Sequence, residues 1–204
     1  MIETNIFFIG FIAFAVAFLI FKFFKRSNIF ANLNLLVSLV TLTSYAVLFS
    51  TIGAIKLDCI NYIYPTRWLF YIASCGILIY EVSLIMKKSN FDTFKMIVFN
   101  TVVMLNGFLA SISHDLYRWI FFMISTLAFI MLLDLIHEKN NRENKFVGII
   151  RWYVTIAWSI FPLVWILAPT GLSILNAFYA ALLYLILDIV TKIIFGTITS
   201  KEEA

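Results

Sequence analysis

The chain has 204 residues, 63% of them apolar and only 13% Asp, Glu, Lys or Arg, with a mean hydropathy of +0.99. Soluble domains run at roughly 45–50% apolar and 25% charged, so a soluble fold is excluded and an integral membrane protein is expected. The net charge of +4 is then a topology signal and no mark of nucleic-acid binding, and two cysteines, Cys59 and Cys75, without CxxC spacing suggest neither a metal site nor a disulfide framework.

A spanning helix needs about 20 residues. Seven apolar segments fill the length: Asn5–Phe24, Phe30–Ile55, Ile63–Met86, Phe91–Ile112, Leu116–Ile136, Phe146–Ala168 and Leu172–Thr199. The breaks are short and polar, the longest being His137–Lys145 and the tightest Pro169-Thr170-Gly171. An all-α membrane protein is expected, one seven-helix domain over residues 1–204 with no extramembrane domain. The first segment does not read as a cleavable signal peptide, because Lys22, Lys25 and Arg26 follow it rather than precede it. Helix four begins near Asp92, where an acidic residue suits the positive end of the helix dipole.

Counting Lys and Arg by side sets the orientation. Lys22, Lys25, Arg26, Lys87, Lys88, Lys95, Lys139, Arg142, Lys145, Arg151 and Lys201 fall on one side, and only Lys56 and Arg118 on the other. The basic side faces the cytoplasm, so the N-terminus is expected outside and the C-terminus cytoplasmic. Arg67 and Lys192 are the two basic residues left within the membrane.

Helix three carries Arg67, Phe70, Ser74 and Glu81 within roughly 60° of one another at 100° per residue. Snorkelling to water is the plain reading of Arg67 and Glu81; against it, both align with Ser74 on one stripe. Helix six places Trp158, Phe161 and Trp165 on one face beside Pro162, which removes a backbone donor and bends the helix. Aromatic residues at that spacing are usually packing, but here they lie at mid-depth and suit the wall of a pocket for a flat apolar ligand. Helix seven holds Asp188 and Lys192 four apart, on one face. A charge at the centre of a bilayer helix costs roughly 2.5–3.5 kcal/mol on insertion scales, so both are functional-site candidates. They form either a structural ion pair or a site where the lysine amine is used covalently, with the aspartate as counter-ion.

From helix two onward these features resemble the microbial (type 1) rhodopsins: seven helices in 204 residues, Arg67 in helix three, and Tyr117-Arg118 then Ile124-Ser125-Thr126 in helix five. Trp-Ser-x-Phe-Pro-x-x-Trp over 158–165 and Asp-x-x-x-Lys over 188–192 complete the likeness. The resemblance implies a multi-pass protein of the cell membrane, not an enzyme, with all-trans retinal on Lys192 as a protonated Schiff base. It places Trp158, Phe161 and Trp165 around the chromophore, with Tyr71 where the family often has Trp, and Phe122 on helix five. Gly107 and Ala110 would flank the ring. Cys75 would face Asn100, a pair that tunes Schiff-base return in this family; alternatively Cys75 is a small buried hydrophobe. Arg67 would orient water and Asp188 on the extracellular side, and a homotrimer is expected.

The departures matter more. Outward pumps of the family carry an Asp three residues after the helix-three Arg, as acceptor of the Schiff-base proton; here Phe70 stands there. With Ser74, Cys75 and Glu81, the set is similar to that of the schizorhodopsins, light-driven inward proton pumps. Asp188 is then the only acid expected near Lys192, and an opposite charge close by favours its ionised form. Transfer outward is disfavoured, and the proton is expected to leave inward with help from Glu81; Asp134 reads as an interfacial helix-end residue. Two alternatives stay open: a photosensory rhodopsin signalling through a separate partner, since only five residues follow Thr199, and a retinal-free membrane protein in which Asp188 and Lys192 merely pair.

Overall fold

The computed structural model describes residues 3–24, 28–56, 62–138 and 144–201. Lys25, Arg26, Lys139 and Arg142 of the charge count, and Cys59, lie outside the described residues. Among the described residues seven helices are long and apolar enough to cross a membrane: α1 (Glu3–Phe24), α2 (Ile29–Phe49), α3 (Thr66–Ile85), α4 (Asn90–Ile112), α5 (Asp115–His137), α6 (Lys145–Leu167) and a seventh span, Ala177–Thr199. Neighbours in sequence pack as neighbours in space, and α1 packs on the seventh span to close the bundle. Only helices and closed barrels satisfy every backbone group inside lipid, and a bundle of these lengths meets that demand.

The apolar segments locate the helices but not all of their ends. Helix two stops at Phe49, six residues short of the expected Ile55, because Thr51 (φ 60) and Gly53 (φ 76) turn the chain left-handed. The residues beyond form a hairpin, β1 (Ile55–Lys56) antiparallel to β2 (Tyr62–Ile63), with Ile55 opposite Ile63. The seventh span begins at Ala177, not Leu172. Ser173 is left-handed (φ 56), and Leu172 N–H and Leu175 N–H bond back to the Ile166 and Leu167 carbonyls at 2.7 and 2.8 Å. Asn176 then caps the helix, its side chain accepting from Tyr179 N–H at 3.0 Å, which satisfies a donor that would otherwise be orphaned. Ser89 and Asn144 cap α4 and α6 in the same way.

That last span is not uniform. It runs as α7 (Ala177–Asp188), a π-turn (Ile189–Ile194) and α8 (Phe195–Thr199). Lys192 sits inside the π-turn, a feature that concentrates at functional sites. Polar residues on the spans are mostly settled locally: Ser38, Thr41, Ser111 and Thr191 each donate to the carbonyl four residues back at 2.7–2.8 Å. The largest apolar cluster, with Leu78, Ile79, Val82, Leu132, Ile136 and Val154, fills the Glu81 end of the bundle. The other end and the middle are packed with aromatic rings.

Candidate functional site

The pair on the seventh span is wholly buried, Asp188 at 1% and Lys192 at 2% exposure, with Lys192 Nζ 2.7 Å from Asp188 Oδ1. The contact is one of charge; neither Nζ nor Oδ1 makes a well-aligned hydrogen bond. Asp188 Oδ2 is held from two other helices. Tyr45 Oη on α2 donates to it at 2.8 Å and Tyr71 Oη on α3 at 2.9 Å. Hydrogen bonds to an ionised group each contribute about 1.5–3 kcal/mol, so the two tyrosines offset much of the cost of burying the carboxylate. Tyr45 is itself confined: its ring stacks on Phe14 at 5.6 Å, and a Cβ on Gly10 would collide with it. Among the described residues, Lys192 pairs with no second carboxylate.

Lys192 Nζ lies 4.1 Å from the centroid of the Tyr71 ring. Tyr71 and Thr191, the residue before the lysine, both line an apolar cavity that extends between α3, α4, α5 and α6. Cys75, Asn100, Gly107, Phe122, Trp158, Phe161 and Trp165 line it too. The far wall is rigid, for Trp165 stacks on Phe122 at 4.6 Å and anchors its Nε1–H on Ser111 Oγ at 3.2 Å. Gly107 lets Trp68 approach the wall; a Cβ there would sit 3.0 Å from the indole. Cys75 and Asn100 share the cavity, but among the described residues no hydrogen bond joins them, and Asn100 Nδ2 is buried without a partner. The fit to retinal is good on the residues present: a long apolar slot, flat aromatic walls, and at its border a buried amine with no aligned hydrogen bond.

Other candidates stand elsewhere. Phe70 is half-buried and does not line the cavity, while Ala110 is fully buried behind its wall, packed with Trp68, Tyr71 and Trp165, which do line it. Ser74 is buried, its Oγ without a hydrogen-bond partner. Arg67 does not snorkel: it is 5% exposed, with its guanidinium carbon 4.7 Å over the Tyr184 ring and 5.9 Å over Phe7. It makes no ion pair with Asp188 among the described residues. Glu81 does not snorkel either, being 0% exposed, while Asp134 is exposed near the end of α5. Asn34 Nδ2 donates to Glu81 Oε1 at 2.9 Å and lies 3.1 Å from Thr199 Oγ1 and 3.3 Å from Ser200 Oγ; Glu81 Oε2 has no partner.

Sequence reasoning missed Tyr45, Asn34, Thr199 and Ser200. The signal was available on α2, where Asn34, Ser38, Thr41 and Tyr45 recur at 4, 3 and 4 residues, a polar stripe that must face the bundle rather than lipid.

Residues 1–202 match the family described as bacteriorhodopsin-like protein. The crystal structure of schizorhodopsin 4 superposes with a TM-score of 0.93 at 42% identity, covering 98% of this chain and 100% of that one. Bacteriorhodopsin-II of Haloarcula marismortui is 23% identical over 188 residues, 86% of this chain and 75% of that protein. Sensory rhodopsin-2 of Natronomonas pharaonis is 26% identical over 213 residues, 98% and 89%. Overlap of this extent, joined to a buried lysine beside an aromatic-walled cavity, makes the chain a member of the bacteriorhodopsin-like family, a microbial rhodopsin close to the schizorhodopsins.

Proposed function

We propose that this chain is a light-driven inward proton pump, residues 1–204 acting as one retinal-binding unit with the N-terminus outside and the C-terminus cytoplasmic. The orientation is supported by the excess of Lys and Arg on one side. The observation that carries the direction is the charge arrangement at Lys192: one carboxylate, Asp188, at 2.7 Å, already bound by two tyrosine hydroxyls.

What retinal supplies when bound at Lys192 is absorption of visible light and isomerisation. The protein's own groups do the rest. Asp188, 2.7 Å from Lys192 Nζ, is its counter-charge in the dark. Both tyrosine hydroxyls donate to Asp188 Oδ2, so that oxygen is already engaged. With Phe70 in place of an acid, no carboxylate other than Asp188 pairs with Lys192 among the described residues. The Glu81 end offers a buried one, with Oε2 making no hydrogen bond among the described residues and Oε1 fixed by Asn34. A proton lost from Nζ therefore moves toward Glu81, and Nζ is recharged from the Arg67 end. The aromatic walls exclude bulk water that would short-circuit the two paths.

The test is a pH electrode in an unbuffered suspension of illuminated cells that express the protein with all-trans retinal. Alkalinisation abolished by a protonophore is expected; acidification refutes the direction. An unchanged pH favours a sensory role instead, the role in the name of the Natronomonas pharaonis relative. A visible band that hydroxylamine removes in light, and that Lys192→Ala never forms, checks the covalent site.

A further inference from the structure

Lys192 sits in a turn that is held from outside its own helix. The π-turn Ile189–Ile194 is wider than an α-helical turn, and such turns are rare and short. One support is local: Thr191 Oγ1 donates to the Leu187 carbonyl at 2.7 Å. A second comes from α6. Tyr153 Oη donates to the Val190 carbonyl at 2.6 Å, and the Tyr153 ring lies tilted against that of Phe195, with 6.1 Å between centroids.

The acceptor stands midway along the charged pair, two residues from Asp188 and two from Lys192. Its carbonyl also receives the N–H of Phe195, five residues on, which is the spacing of a π-turn. Tyr153 and Val190 are half-buried, whereas Thr191 and Lys192, the next residues along, are buried. On α6, Trp158 follows Tyr153 by five residues and is a wall of the slot, as Thr191 is on the seventh span. Tyr153, Trp158 and Phe195 share one apolar cluster. Apolar packing is non-directional, so the hydroxyl supplies the fixed point between the wall helix and the turn that carries the lysine.

We infer that Tyr153 is a positioning residue for Lys192, a latch whose hydroxyl holds the π-turn against α6 and keeps the lysine end of the slot closed. The inference rests on retinal being held at Lys192, and not on the direction of proton movement. In Tyr153→Phe the Val190 carbonyl keeps its bond from Phe195 N–H, so the acceptor is not orphaned and the loss falls on the tie between helices. The open population of the turn should then rise roughly two- to tenfold, the effect of one neutral hydrogen bond.

Two rates are read in the dark on retinal-loaded protein in detergent, and neither is pumping. Amide hydrogen exchange over residues 189–195 should quicken roughly two- to tenfold in Tyr153→Phe, while α4 and α5 keep their wild-type rates. Bleaching by hydroxylamine, which has to reach Lys192, should quicken by the same factor. Thr101→Val is the control, since it removes a hydroxyl bond of the same kind, 2.9 Å to the Ile97 carbonyl on α4; both rates should stay at wild type. The latch is overturned by exchange over 189–195 that does not change in Tyr153→Phe, that rises equally in every span, or that Thr101→Val raises as much. Hydroxylamine bleaching of Tyr153→Phe at the wild-type rate overturns it too. A wild-type protein that forms no visible band with retinal refutes the covalent site at Lys192 instead, and the exchange comparison still decides whether Tyr153 holds the turn.

Discussion

Replacing Tyr45 by Phe removes one oxygen and little else. The ring keeps its stack on Phe14, and Asp188 Oδ2 keeps Tyr71 as a donor at 2.9 Å. What is lost is a 2.8 Å hydrogen bond to a buried carboxylate, an interaction that contributes about 1.5–3 kcal/mol. For a chain of this size the midpoint of thermal bleaching should fall by roughly 3–12 °C. Tyr153→Phe is the control. Its hydroxyl donates to the neutral Val190 carbonyl at 2.6 Å, so its loss should cost only about 0.5–1.5 kcal/mol, or roughly 1–6 °C. Removing Tyr71's hydroxyl as well strips Oδ2 of both donors, and the double variant should cost more than the sum of the singles. If Tyr45→Phe costs no more than Tyr153→Phe, or the double variant is strictly additive, then Asp188 is not the charged hub that the two tyrosines imply.

Asp188→Asn leaves Lys192 buried without a counter-charge and should destabilise the protein by about 3–5 kcal/mol; a variant that keeps both its colour and its pumping would rule out the counter-ion role. Glu81→Gln preserves an acceptor for Asn34 but cannot take up a proton. The initial rate of light-driven alkalinisation should drop roughly tenfold or more, and an undiminished rate removes Glu81 from the path. Gly10→Ala should cost about 1–3 kcal/mol by overpacking against Tyr45; an unaltered bleaching midpoint would show that the tyrosine is not confined.

All seven spans were legible because each is a run of apolar residues long enough to cross a bilayer. Hydropathy measures transfer to lipid and says nothing of dihedral angles, which is why two boundaries slipped. Ile52 and Ile174, each 66% exposed, read as helix in the sequence but belong to turns. The Asp188–Lys192 pair was legible from spacing alone, and the aromatic face of α6 does line the slot. Position along helix three does not separate a residue that reaches water from one sealed under Tyr184, as Arg67 is, or against Asn34, as Glu81 is. Tyr45 escaped notice because a tyrosine on a spanning helix has many roles, and only the fold brings it 143 positions along the chain to Asp188.

The widened turn around Lys192 also governs alignment. Along a straight α-helix, twelve residues turn about 1,200°, so Ser200 would lie about 120° away from the line of Asp188. One surplus residue in the π-turn takes back about 100° and leaves only about 20°. Asp188, Lys192, Gly196 and Ser200 thus stand in single file, all buried, with the last two at the Asn34 amide. Deleting one residue from Ile189–Ile194 would straighten the helix and break that file, swinging Ser200 out of reach of Asn34 while leaving Asp188 where it is.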